Sequence, residues 1–155
     1  MTAALRLPVI NDITTNPEGP VEFDKIKELQ ANTGKDLSYP KEFHDLQKSH
    51  YPDIQPLYLT LEPLKAFDIC LSIVKQRQWE IINFDEAQKK IECVVTTNMM
   101  KFKDDVVIQV FTNGENQTRI EMRSKSRVGK GDLGANAKRI TAFLTDTKIA
   151  SEDVA

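Results

Sequence analysis

DDVVIQVFTNGENQTRIEMRSKSR, residues 104–127, decides the fold. Two runs rich in apolar and β-branched residues, DDVVIQVF (104–111) and TRIEMRSKSR (118–127), flank TNGENQ, where Asn113-Gly114 is a local turn signal in a loop longer than a two-residue hairpin. Side chains alternate across a strand, so Val106, Ile108 and Val110 share one face, and Ile120 and Met122 share a face of the neighbouring run. The stretch predicts an antiparallel pair with one buried face. Upstream, WEIINF (79–84) and KIECVVTT (90–97) are separated by the polar DEAQK and predict a second hairpin, giving four strands in a meander. Further back, LYLTL (57–61) alternates as a strand with Leu57, Leu59 and Leu61 on one face. Between them Leu64, Phe67, Leu71 and Val74 recur at helical spacing, and Pro63 suits a first turn, so a helix is expected over 63–77. Downstream, Leu133, Ala137, Ile140, Phe143 and Leu144 form an apolar stripe that predicts a helix to about Thr147, with Asp132 as its N-cap. The order strand, helix, four strands, helix implies an α+β fold in two layers, an antiparallel sheet with both helices on one face.

Proline usage divides the chain. All seven prolines fall within the first 63 of the 155 residues, which marks residues 1–56 as a turn-rich N-terminal arm, 57–148 as the regular body and 149–155 as a tail. In the arm, NPEGP (16–20) is turn chemistry, and Phe23, Ile26 and Leu29 fall at helical spacing until Asn32 and Gly34 stop them. A second short helix is expected from Pro40 to His50, with Ser38 ahead of it as a cap and Phe43, Leu46 and His50 on one face. Helices this short form only by packing on something larger, so the arm is expected to wrap round the body within a single domain, 1–155.

With 40% hydrophobic and 28% charged residues the composition is that of one soluble globular domain. A formal charge of -2 and a pI near 5.7 argue against a protein built mainly to coat nucleic acid or anionic membrane. Arg6 and Pro8 interrupt the opening MTAALRLPVINDITT where a signal peptide needs an apolar run, and no window approaches the length of a spanning helix, so a soluble, cytoplasmic location is the default expectation. Cys70 and Cys93 lack CxxC spacing and sit inside apolar stretches, which predicts two buried, reduced thiols.

Strand direction turns a list of polar residues into a place. In a meander, Thr97, Asp104 and Arg127 must lie at one edge of the sheet, together with the final loop and the start of the last helix. By parity Thr97, Asp104, Ser124 and Ser126 end the helix-covered face, near Asp132, Asn136 and Arg139, while Asp105 turns to the other face towards Arg123 or Arg127. Gly129, Gly131 and Gly134 free the backbone for close approach, and residues 119–139 carry seven basic side chains against Glu121 and Asp132, a surplus of five. Three readings stay open: a non-catalytic site for a small anion, polar ligand or protein partner; an enzyme acting on a small anionic substrate, with Arg127 and Arg139 as clamps and Asp104 as base; or an internal brace. If Arg127 stands free beside an open loop a ligand is favoured, and if it is bonded internally the brace is. No metal site, cofactor motif, P-loop or GxSxG elbow is present in the sequence, and Phe102 with the basic last strand is too sparse an aromatic platform for nucleic acid.

SKSRVGKGDLGANAKRITAF (124–143), with FKDDVVIQV (102–110), INDITTNPEGPVEF (10–23) and YPDIQPL (51–57), strongly resembles the bacterial and plastid family known as domain of unknown function 1499. The shared pattern is carried by Ser126, Arg127, Gly129, Asp132, Gly134, Asn136 and Arg139, with Asp104 and Asp105 as the upstream acidic pair; Gly131 stands where the family usually has serine, and Asn98-Met99-Met100 where it commonly has an aromatic and a glycine. The resemblance implies an architecture covering nearly the whole chain and no particular activity. Many relatives carry hydrophobic segments ahead of this domain, which implies work near a membrane.

Overall fold

The structure, a computed structural model, describes residues 7–154. Nine elements are built on one antiparallel sheet: β1 (Asp12–Thr14), α1 (Phe43–His50), β2 (Leu57–Leu59), α2 (Pro63–Gln76), β3 (Glu80–Asp85), β4 (Lys90–Thr96), β5 (Lys103–Thr112), β6 (Thr118–Ser126) and α3 (Ala135–Val154). The meander runs β3-β4-β5-β6 as expected, and β5 and β6 pair along their length from Asp104↔Ser126 to Thr112↔Thr118. The far edge of β6 is closed by two short strands placed end to end: β1 pairs with Arg123–Lys125 and β2 with Thr118–Ile120.

The alternation of β5 builds two cores. Val106, Ile108 and Val110 join Ile120 and Met122 of β6 beneath α2 and α3, where Phe67, Cys70, Ile140 and Phe143 complete the main core. Both thiols are free and buried, and burial pushes each of them up to about 12, so they are neutral members of that core. Val107 faces the other way and meets Val21, Phe23 and Ile26 of the arm, with Leu29, Leu37, Ile82 and Phe111 around them. The helices α2 and α3 thus lie on one face, and the arm between Val21 and Leu37 covers the other. No helix among the described residues is long and apolar enough to cross a membrane.

The arm wraps round the body and also adds a strand to the sheet and apolar residues to both cores. Three expectations need correction. Phe23 to Leu29 is no continuous helix: Ile26–Glu28 and Gln30–Asn32 are separate 3-10 turns, because the Glu92 carboxylate takes the N–H groups of Asp24, Lys25 and Ile26 and fixes the chain there. Leu133 is outside α3 and exposed; it and Gly134 both have positive φ, and this left-handed corner delays the helix to Ala135. Finally α3 does not end near Thr147 but runs to Val154, so most of the expected tail is helical, and Ala155, like Arg6, lies outside the described residues. The buried stripe continues past Leu144 through Thr147 and Ser151, whose hydroxyls return to the carbonyls of Phe143 and Lys148.

Candidate functional site

The edge where β4 ends, β5 begins, β6 ends and α3 starts gathers the polar residues singled out in the sequence. Register alone separates the two aspartates. Asp104 lies opposite Ser126 on the helix side, and Asp105 opposite Lys125 on the arm side. Adjacent strand residues face apart, so the pair cannot act on one substrate atom.

On the helix side Asn136 is the hub, fully buried in the first turn of α3. Its Nδ2 donates to Ser126 Oγ at 2.9 Å and to Asp132 Oδ2 at 2.7 Å, while its Oδ1 accepts from Ser124 Oγ at 2.6 Å and from Arg139 at 2.9 Å. Arg139 also donates to Ser124 Oγ at 3.0 Å and pairs with Asp104 at 2.9 Å. Burial pushes the Asp104 carboxyl above its ordinary value, with Arg139 opposing. Asp132 caps the helix from ahead of the left-handed corner, its carboxylate accepting from the N–H of Gly134 at 2.8 Å and of Asn136 at 3.1 Å. The helix N-terminus that could have received an anion is therefore occupied by the chain's own carboxylate.

On the arm side Arg127 closes on Asp105 through Nε at 2.9 Å and a terminal nitrogen at 2.8 Å, and Asn32 donates to the other Asp105 oxygen at 3.1 Å. Arg123, the other expected partner of Asp105, pairs with Asp12 instead. Between the two sides runs the loop from Arg127 to Gly134. Gly129 takes a positive φ, and its carbonyl accepts from Asn11 Nδ2 at 2.7 Å; Gly131 packs beside Val9.

The structure thus brings Asp104, Ser126, Asp132, Asn136 and Arg139 into one hydrogen-bonded network, joins Asp105 to Arg127 on the opposite face, and strings Gly129 and Gly134 along the connecting loop. Thr97 stays apart, its hydroxyl accepting from the N–H of Phe102 in its own loop. Sequence reasoning missed Asn11, Asn32 and Asp12 as partners. The signal available was a polar pair, Asn11-Asp12, between Ile10 and Ile13, but a strand of three residues is too short to betray its register. Among the described residues no three His, Cys, Asp or Glu side chains converge as metal ligands. The network's chemistry is that of charge-assisted hydrogen bonds satisfied within the protein.

No match is found among curated proteins. Among solved structures, TTHA0849 from Thermus thermophilus is similar over 62% of this chain and 87% of that one, at 9% identity and a TM-score of 0.28. Residues 12–146 match the profile of the family described as "Protein of unknown function (DUF1499)", a span that takes in both aspartates, the network hub and the strand supplied by the arm, and the chain belongs to that family.

Proposed function

We propose that this chain is a non-catalytic binding or accessory domain in which the Ser126–Arg139 motif is an internal brace, locking β6 to α3 and holding loop 127–134 as a presented surface. The observation that carries this reading is the occupancy of the motif: Arg127, Asp132, Asn136 and Arg139 each have partners inside the chain. Buried polar groups of this kind are costly to leave unpaired and gain little from being exchanged for a transient ligand.

Thermal and urea unfolding test it. Asn136→Ala strips a partner from both serines, Asp132 and Arg139, and should cost about 2–4 kcal/mol. Arg127→Ala leaves Asp105 with Asn32 alone and should cost about 3 kcal/mol, whereas Asp132→Ala removes chiefly the cap, about 1 kcal/mol. Inorganic phosphate should give the wild type no saturable thermal shift. Variants of undiminished stability that lose a phosphate-dependent shift present in the wild type would instead make the motif a ligand site.

A further inference from the structure

The same edge carries a surface that the brace does not use. Loop 97–102 projects Met99, 92% exposed, and Met100 beside Phe102, and the neighbouring loop projects Val128 and Leu133, the latter 83% exposed, with Val9 alongside. Both loops are held in shape. Thr97 N–H donates to the Phe102 carbonyl and Lys101 N–H to the Thr97 carbonyl, so the methionines occupy the tip of a closed turn. The loops are also neighbours, since the Arg127 N–H donates to the Lys103 carbonyl at 3.1 Å and the Ser126 N–H to the Asn11 carbonyl at 2.8 Å.

Leu133 is unusual twice over: a bulky residue held at φ 54°, where asparagine or glycine is preferred, and an apolar one turned into water. Nothing in the core requires a leucine there. The charges around these tips are one-sided. Asp104, Asp105 and Asp132 are turned inward to Arg139, Arg127 and the start of α3, while Lys101, Lys103, Lys130 and Lys138 are exposed and have no carboxylate partner among the described residues; Glu80, opposite Val94, lies two residues back from the end of β4 and lines a recess with Thr97 and Asn98. A chain with a net charge of -2 therefore presents a basic rim round protruding apolar side chains at one end.

We infer that this end docks on an anionic phospholipid bilayer, with Met99, Met100 and Leu133 entering the interfacial region and the lysines meeting lipid headgroups. The shape favours a bilayer over a folded partner. Flexible or apolar side chains standing this far into solvent at loop tips suit a yielding medium, whereas a protein partner needs matching cavities, and the exposed lysines complement anionic headgroups. The inference rests on the brace reading in one respect, that the brace is what turns the carboxylates inward.

Co-sedimentation of the full chain with vesicles of phosphatidylcholine containing about a third phosphatidylserine tests it. The wild type should pellet with these vesicles, far less with pure phosphatidylcholine, and the partition should fall as salt is raised. Leu133→Asn suits the left-handed backbone and Met99→Ser lies at an exposed tip, so both variants should keep the wild-type melting temperature, and combined they should weaken vesicle binding roughly tenfold or more. Lys101→Ala with Lys130→Ala should remove the preference for phosphatidylserine. Absence of wild-type binding to the anionic vesicles overturns the inference, as does binding that the Leu133→Asn, Met99→Ser variant retains in full. Self-association in solution that depends on these same two residues would also overturn it, by assigning the surface to a second copy of the chain. None of these results touches the brace, which is read by the stability of Asn136→Ala.

Discussion

Arg123 is the residue on which the two sides of the arm meet. It is 2% exposed, forms a two-pronged pair with Asp12 at 2.9 and 2.7 Å, donates to the carbonyls of Val21 and Leu37, and lies over the Phe23 ring at 4.6 Å. Every one of those partners belongs to the arm, so a single side chain of β6 holds three separated arm segments. Burial pushes the Asp12 carboxyl above its ordinary value, with Arg123 opposing, so the buried carboxylate depends on its partner. The consequence is an asymmetry that a mutant cycle measures. Arg123→Met alone strands a buried carboxylate and should cost about 3–5 kcal/mol in urea unfolding. Asp12→Ala combined with Arg123→Met removes both charges and should cost clearly less than the two single losses added together. Strict additivity would mean that the pair is not coupled.

At the scale of elements, Glu92 of β4 does for the 3-10 turns what Asp132 does for α3. Its carboxylate is fully buried and accepts from the N–H groups of Asp24, Lys25 and Ile26 at 2.7, 2.9 and 3.2 Å and from Asn83 Nδ2 at 2.8 Å. Lys90, two residues earlier on the same face, holds Asp24 and the Glu22 carbonyl. Glu92→Gln would turn an amide donor towards backbone donors, so a loss of about 1–3 kcal/mol is expected, with faster amide exchange confined to residues 22–32. Exchange spreading instead through β4 and β5 would show that Glu92 supports the sheet rather than the arm. These elements also show what was legible in the sequence. The meander and the helix-side parity could be read because period two persists through β5 and β6, and the grouping of Asp104, Ser126, Asn136 and Arg139 followed from strand direction together with that parity. The 3-10 turns could not, because Glu92, which fixes them, is distant in the sequence, and the delayed start of α3 could not, because the left-handed corner at Leu133 and Gly134 carries no periodic signal. The far end of α3 was hidden for a different reason: its buried stripe continues in hydroxyl residues, Thr147 and Ser151, that carry no hydrophobic signal.

At the scale of the molecule, the proline-rich arm is a structural layer, and the sheet is incomplete without it. β6 has β5 on one side; on the other it has only β1 and β2, and β1 lies in the arm. On the face away from the helices, Val107 is buried beneath Val21, Phe23 and Ile26, and Arg123 and Asp105 find Asp12 and Asn32 there. Removing residues 1–50 would therefore do three kinds of damage at once. It would leave half of the β6 edge unpaired, a template for intermolecular pairing. It would bare the apolar patch around Val107, Ile82 and Phe111. It would also strand the buried guanidinium of Arg123 without a counter-charge. The three losses are coupled, since each is borne by β6 or the strand beside it, so a graded softening is not expected. A body of residues 51–155 should lose cooperative unfolding or aggregate, as read by a melting curve together with light scattering. A melting curve matching that of the full chain would make the arm a dispensable linker, and would require Arg123 and Val107 to be satisfied by groups that the fold does not place beside them.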